Sequence, residues 1–541
     1  MERKWWHNSV VYQIYPRSFQ DSNGDGIGDL QGIIQRLDYL EKLGVDVVWL
    51  SPVYQSPNDD NGYDISDYYQ IMPEFGTMQD MEELIAKAKQ RGIKIVMDLV
   101  VNHTSDEHQW FIEAKKSKDN PYRDYYIWRD PVDGHAPNDL TASFGGSAWE
   151  FDETTQQYYL HFFSKKQPDL NWENPKLRQA IYAMMNFWID KGIAGFRMDV
   201  IDMIGKKPDQ KIIVNGPQLH EYLKEMHQQT FGPKDLLTVG EAWSANEEVA
   251  LLYGEPKNHE LNMVFQLFFS QLDQYPDKDK WFTKELNIPG IKELFNRWQL
   301  ALNDKAWNAL VWENHDLPRC VSRFGDPTTY RIESAKMLAI VLYLLKGLPY
   351  IYQGQEIGMT NTVFKSIAEV DDIESKHMYH DYPLQGKMTA KQALVAINQK
   401  GRDNARTPMQ WDNSVNGGFS QAKPWLAVNQ NYPVINVEAS LADEDSIFYT
   451  YQKLIALRKQ KPVVVYGDYQ MLPTDPNVYA YIRSYQGQSL LVVANLSKSM
   501  QEISLPQYGY QSVLLSNYAQ GVVDLSAKKL KPYEAFVIEI K

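Results

Sequence analysis

Hydrophobic positions along the chain alternate between two rhythms. VVYQIY (10–15) is a short apolar run of strand type, and LQGIIQRLDYLEKLG (30–44) follows with helical spacing. VDVVWLS (45–51), the helix MQDMEELIAKAKQRG (78–92) and KIVMDLV (94–100) repeat the pair. GFRMDV (195–200), LLTVGE (236–241), MVFQ (263–266), NALVWEN (308–314) and PYIYQG (349–354) continue it, with NPKLRQAIYAMMNFWIDKG (174–192) and IESAKMLAIVLYLLKG (332–347) among the intervening helices. Strands that are apolar throughout, joined by helical crossovers, predict a parallel sheet buried on both faces. Eight such units predict an α/β fold, a (β/α)8 TIM barrel, with a doubly wound open sheet as the alternative.

Three departures from the rhythm set the domain boundaries. A crossover needs far fewer residues than separate the third and fourth strands, so 104–174 is predicted to be an inserted domain. Residues 359–445 are polar and irregular and read as a loop-rich insertion with short helices. SIFYTYQKLIALRKQ (446–460) is amphipathic and reads as the last barrel helix. From 466 the period becomes two, which predicts a C-terminal antiparallel β-sandwich domain over 466–541. The barrel is then 1–103 with 175–465.

Composition narrows the function classes. A net charge of −14 repels phosphate backbones, so nucleic acid is not expected as a partner. The longest clean apolar run, 337–345, is under half of the roughly twenty residues that cross a bilayer, so no membrane partner is expected. His7, Asn8 and Ser9 interrupt the apolar stretch near the N-terminus, so no signal peptide is expected. One cysteine, Cys320, excludes an intramolecular disulfide and a Cys-rich metal site, and fits a cytoplasmic location. The chain is expected to act as a monomer. Aromatic residues at 13% suit either a large core or stacking on sugars.

Barrel chemistry sits at the carboxyl ends of strands. There the sequence places Asp98, Asn102 and His103 after the third strand, and Arg197 and Asp199 on the fourth. Glu241 and Trp243 follow the fifth strand; Asn314, His315 and Asp316 follow the seventh. Converging carboxylates repel one another, a cost that function can justify. Paired carboxylates are what glycoside hydrolysis needs, one ionised to attack the anomeric carbon and one protonated to release the leaving oxygen. Arg197 beside Asp199 is expected to lower its pKa by about 1–3 units. Glu241 has no basic neighbour in sequence and abuts Trp243, which suits the acid role.

DLVVNHTS (98–105), GFRMDVID (195–202), GEAW (240–243) and ENHDLPR (313–319) resemble the four signature segments of the α-amylase glycoside hydrolase family. QPDLN (167–171) resembles its fifth, in the form typical of oligo-1,6-glucosidases. The resemblance covers essentially the whole chain, and within the family it is nearest to the glucan 1,6-α-glucosidases. It implies Asp199 as nucleophile, Glu241 as acid/base and Asp316 as transition-state stabiliser, with retention through a covalent glycosyl-enzyme. It also implies that Asp60, Tyr63, His103, Phe163, Arg197, His315 and Arg402 surround a terminal glucose.

An Asp–Arg pair suits the hydroxyl edge of a sugar in a closed pocket, and a closed end means exo action. Tyr63 serving only to pack, and Arg402 only to bridge loops, are the bland alternatives. Val200 after the nucleophile goes with α-1,6 linkages in similar enzymes, and Trp243 and Glu374 resemble acceptor-site residues. FQLFF (265–269) departs from the charged pair that relatives carry, which points to Phe268 and Phe269 near the acceptor side. The implied activity is release of glucose from isomalto-oligosaccharides, panose and dextran fragments. Trehalose-6-phosphate hydrolysis and a broader α-1,4/α-1,6 specificity are the alternatives. An isomerase would share the triad, and a binding-only relative would have lost one of its carboxylates.

The loop from Asp21 to Asp29 alternates hard oxygen donors, which suit Ca2+. Position twelve is Gly32 rather than glutamate, so it is no EF-hand, and an Asx-rich turn without metal is the alternative. The resemblance implies structural calcium held by Asp21, Asn23, Asp25, Asp29 and the Ile27 carbonyl, and no organic cofactor.

Overall fold

A computed structural model of the chain describes residues 2–519 and 524–541. Its centre is an eight-stranded parallel sheet: β1 (Val11–Ile14), β2 (Val47–Leu50), β3 (Lys94–Leu99), β4 (Gly195–Met198), β5 (Leu237–Gly240), β6 (Met263–Val264), β7 (Ala309–Leu310) and β8 (Leu348–Tyr352). Each strand pairs with its sequence neighbour, and β8 returns to β1. A parallel bridge from Phe265 to Ala309 joins the sixth and seventh units, so the sheet closes and the open-sheet alternative falls. NALVWEN contributes only two residues of strand, and Trp312 beyond them packs into the core against Phe269 and Phe295. Gly195 opens β4 at φ +154°, where a Cβ would lie 1.8 Å from the Leu237 carbonyl oxygen of β5. Only glycine lets those strands meet.

The predicted helix at 30–44 is two, Leu30–Gln35 and Leu37–Leu43, broken at Arg36 and ended by Gly44 at φ +96°. Ile447–Gln460 is helical, as its amphipathic pattern predicted, and a short helix, Pro462–Tyr466, follows it before the C-terminal strands. The insertion after β3 carries a three-stranded antiparallel sheet of Trp128–Arg129, Trp149–Asp152 and Gln157–Leu160. Its own core, built on Ile127, Leu140, Trp149, Leu160 and Phe162, also takes in Val200 and Met203 just past β4. The inserted domain thereby braces the loop that leaves the fourth strand. The 359–445 segment contains four α-helices, Ile373–Leu384, Ala390–Lys400, Asp403–Arg406 and Val437–Ala442.

The C-terminal region forms five antiparallel strands, Asp468–Met471, Val478–Tyr485, Gln488–Asn495, Tyr510–Ser516 and Ala535–Ile540, facing a two-stranded sheet of Gln501–Ile503 and Lys528–Leu530. It docks through donors to free helix-end carbonyls: Tyr481 OH reaches Val341 O at 2.8 Å, and Arg483 reaches Leu344 O.

Candidate active site

The loops leaving the carboxyl ends of the strands enclose a cavity of about 460 Å3. Asp60, Tyr63, His103, Phe163, Asp199, Val200, Glu241, Trp243, Asp316, Glu374 and Arg402 all line it. Arg197 and His315 are buried just behind that surface. Eleven of the thirteen residues expected at the site therefore face one cavity, and the other two contact its walls.

Arg197 is the hub of the floor. Its Nη1 donates to Asp98 Oδ1 and Asp199 Oδ1, each at 2.8 Å, and its Nη2 lies 2.7 Å from Glu241 Oε1. This corrects two expectations. Glu241 has a basic partner after all, delivered from the neighbouring strand β4 rather than along the chain. Arg197 does not hold Asp199 low either: burial pushes the Asp199 carboxyl well above its ordinary value despite Arg197, and Glu241, Asp98 and Asp316 push it the same way. One guanidinium shared among three buried carboxylates cannot neutralise them all.

Val200 links the two central acids. It sits at φ +33°, ψ +45°, a left-handed conformation that a β-branched residue rarely adopts. That turn aims its N–H at Glu241 Oε2, at 3.1 Å. The side chain packs into the inserted domain's core, which offsets the strain.

At the opposite wall Asp316 meets a histidine and two arginines. His315 Nε2 lies 3.1 Å from Asp316 Oδ2, Arg406 Nη2 donates to Oδ1 at 2.9 Å, and Arg402 Nη1 at 3.3 Å. Burial raises the Asp316 pKa, but His315, Arg402 and Arg406 outweigh it and hold the carboxyl well below its usual range. Arg402 also donates to Asp60 Oδ1 at 3.0 Å and, through Nε, to Asp372 Oδ1 at 2.8 Å, so it is no mere bridge between loops. Tyr63 does more than pack: it stacks on His315 with centroids 5.0 Å apart and donates to Asp98 Oδ2 at 2.9 Å. His103 is held by the Tyr63 carbonyl at 3.0 Å, and burial lowers its pKa to about 4. It is a neutral ring at pH 7.

Residues 13–467 match the family model described as "Alpha amylase, catalytic domain". The chain belongs to the α-amylase family. Residues 478–537 match a second model of that family, "Alpha-amylase SusG C-terminal domain". A glucan 1,6-α-glucosidase of Streptococcus pneumoniae is 58% identical over 542 residues, all of both chains. An oligo-1,6-glucosidase of Halalkalibacterium halodurans is 55% identical over 99% of each. Among solved structures, the trehalose-6-phosphate hydrolase of Bacillus licheniformis superposes with a TM-score of 0.95 at 45% identity, over 99% of this chain and all of that one.

Within this α-amylase-family site, three residues went unassigned in the sequence. Asp98 ends β3 in plain view, but its partners Arg197, Tyr63 and Trp49 come from three other segments. Asp372, two residues before Glu374, caps the helix Ile373–Leu384 and pairs with Arg402. Burial raises its pKa, and Arg402 and Arg406 more than reverse that, so it is held well below the ordinary value. Lys280, on the loop after β6, lines the cavity and pairs with Glu374. No local pattern marked it. Phe268 and Phe269 are corrected in the opposite sense. Both pack on the barrel core, Phe269 against Trp312 and Phe324, while the next residues, Ser270 and Gln271, line the cavity.

The Asp21–Asp29 loop is built from side-chain-to-backbone hydrogen bonds. Asp21 accepts from the N–H groups of Asn23, Gly24 and Gly26, Asn23 from Asp25, and Asp25 from Ile27. Asp29 accepts from Ser22 and caps the helix Leu30–Gln35 through Gly32 N. The donor chemistry fits a hard cation. Among the described residues, no three His, Cys, Asp or Glu are gathered into a metal-holding group, so any ion here would lean on Asn23 Oδ1 and the Ile27 carbonyl as well.

Proposed function

We propose that the chain is an exo-acting, retaining α-glucosidase that releases glucose from the non-reducing end of α-1,6-linked isomalto-oligosaccharides, panose and dextran fragments. The observation that carries this reading is the Asp60–Arg402 pair. Both side chains are nearly buried, both line the cavity, and Arg402 ties Asp60 to Asp316 and Asp372. Such a pair closes the cavity behind a single terminal glucose and offers acceptors and a forked donor to its hydroxyl edge. The similarity to a glucan 1,6-α-glucosidase and an oligo-1,6-glucosidase supports the α-1,6 linkage.

In this reading Asp199 attacks the anomeric carbon, and Glu241 gives its proton to the leaving oxygen. Glu241 then activates water against the glycosyl-enzyme, and Asp316 stabilises the oxocarbenium-like transition state. The two working carboxyls are expected about 5–5.5 Å apart. Arg197 orients both of them from below, and the Val200 N–H holds Glu241 against the leaving-group side.

Trehalose-6-phosphate hydrolysis is less well supported. The cations on the acceptor side already face carboxylates, Lys280 with Glu374, and Arg323 and Lys400 with Asp273. A phosphate would have to displace them. Glucose release from isomaltotriose, panose, maltotriose and trehalose 6-phosphate, measured side by side, tests the proposal. Turnover of the first two with little of the third is expected; selective cleavage of the phosphorylated sugar would overturn it.

A structural Ca2+ in the Asp21–Asp29 loop, a monomeric state and a cytoplasmic location belong to the same proposal. No helix among the described residues is long and apolar enough to cross a membrane. Exhaustive chelation is expected to release calcium and lower the melting temperature; an unchanged metal content and melting temperature would remove calcium from it.

A further inference from the structure

A second, smaller cavity of about 220 Å3 lies between the loop after β6 and the helix Ala390–Lys400. Three rings, Tyr275, Trp281 and Phe282, line its loop side, with Met388 and the helix residues Gln392, Val395 and Ala396 among the rest of its walls. Tyr275 is 42% exposed, and Phe282 stacks on Tyr382 with centroids 6.3 Å apart and planes 22° from parallel. Polar groups stand among the rings. Thr283 donates to Gln399, both lining the cavity, and the Lys278 ammonium lies 4.9 Å from the Tyr275 ring and 5.3 Å from the Phe282 ring. Apolar ring faces beside hydroxyl, amide and ammonium groups are what a carbohydrate surface binds: a sugar has apolar C–H faces and a polar edge.

The position of this cavity identifies its occupant. At three separate points, consecutive residues line the two cavities. Gln274, Lys280 and Lys400 face the active-site cavity, while Tyr275, Trp281 and Gln399 face the smaller one. Consecutive Cα atoms are about 3.8 Å apart, so one wall separates the two spaces. The shared wall carries Lys280, whose partner Glu374 also reaches Arg402 at 3.6 Å, so the smaller cavity borders the acceptor side of the active-site cavity.

We propose that the Tyr275–Trp281–Phe282 groove is a distal subsite that takes glucose units of a longer α-glucan beyond those held at the acceptor side of the active-site cavity. It rests on the reading of the chain as an exo-acting α-glucosidase and adds a determinant of chain-length preference. No covalent step is involved. The groove lowers KM for long substrates and leaves the chemistry to the inner cavity.

The test compares kcat/KM for isomaltohexaose with that for isomaltose in the wild-type enzyme, Tyr275→Ala and Phe282→Ala, with maltohexaose and maltose measured alongside. Stacking on one aromatic ring supports an expected three- to tenfold fall, roughly, in the long-to-short ratio for each variant, carried by KM rather than kcat. Tyr275 is exposed, so its removal leaves the packing of the barrel intact even if Phe282→Ala perturbs its loop. An unchanged ratio, or an equal loss at both lengths, would overturn the groove. If the wild type works on the maltose series alone, the α-1,6 reading fails while the same ratio still judges the groove. An enzyme active on neither series overturns both.

Discussion

Arg402 and Lys400 are two residues apart and line one cavity in opposite electrostatic settings. Arg402 stands at the inner end among Asp60, Asp316 and Asp372; burial alone would lower its pKa, and those carboxylates drive it well above the ordinary guanidinium value. Lys400 stands at the outer end with a single carboxylate, Asp273, which Arg323 already engages. Burial and the Arg323 charge push it down to about 7 against that one partner. The inner end is a fixed field with excess negative charge to hold a hydroxylated ring. The outer end sets two cations, Arg323 and Lys400, on the single carboxylate Asp273 and pairs Lys280 with Glu374, and it is framed by Trp243 and the aromatic loop after β6. In the proposed function the first suits a single terminal glucose and the second a variable acceptor.

The comparison breaks first if the floor is not catalytic. Asp199→Ala and Glu241→Gln are each expected to lower kcat by a thousandfold or more, by order of magnitude, with the fold retained by circular dichroism. Near-normal turnover of either variant would sink the assignment. Arg402→Lys is expected to cut kcat/KM at least roughly tenfold for every substrate, because an ammonium cannot reach Asp60, Asp316 and Asp372 together and leaves buried carboxylates unpaired. A loss confined to long substrates would mean that the two ends had been misjudged. Val200→Thr is expected to raise the α-1,4 to α-1,6 rate ratio several-fold, by order of magnitude; identical ratios on maltotriose and isomaltotriose would remove Val200 from linkage choice.

The smallest effect concerns stability. Lys400 has a folded pKa near 7 against an ordinary 10.5, so between those values the unfolded chain binds more protons and stability rises with pH. The contribution is full above 10.5 and is lost as pH falls to about 7. Melting temperatures of the wild type and Lys400→Met, measured from pH 7 to 9.5, should show the variant gaining most at pH 7 and the gap narrowing as pH rises. A parallel pair of curves would place Lys400 in an ordinary environment.

How much of this was legible in the chain depends on distance along it. The eight strands, the two insertions and the β-strand C-terminus follow from apolar periodicity, which is a local property. Asp199, Glu241 and Asp316 were found because barrel chemistry sits at strand ends, and strand ends are marked in sequence. Asp98 was visible, but its role was not, because its partners lie on other segments. Lys280 and Asp372 belong to long loops without periodicity, where nothing local says which side chain turns inward. Arg197 was read as a neighbour of Asp199 alone, because sequence measures proximity along one strand while charges interact across the barrel.

By itself, then, the sequence determined the alternation that makes a barrel and the identity of the acids at its mouth, since burial of apolar faces and strand-end placement are set by nearest neighbours. Only the tertiary structure decided how the charge is distributed. Pairing β5 beside β4 brought Glu241 to Arg197, while the folding of the long loops packed Phe268 and Phe269 on the core, set Lys280 against the cavity and brought Asp372 to Arg402. Electrostatic interaction depends on separation through space and on burial, and neither exists until the sheet has closed.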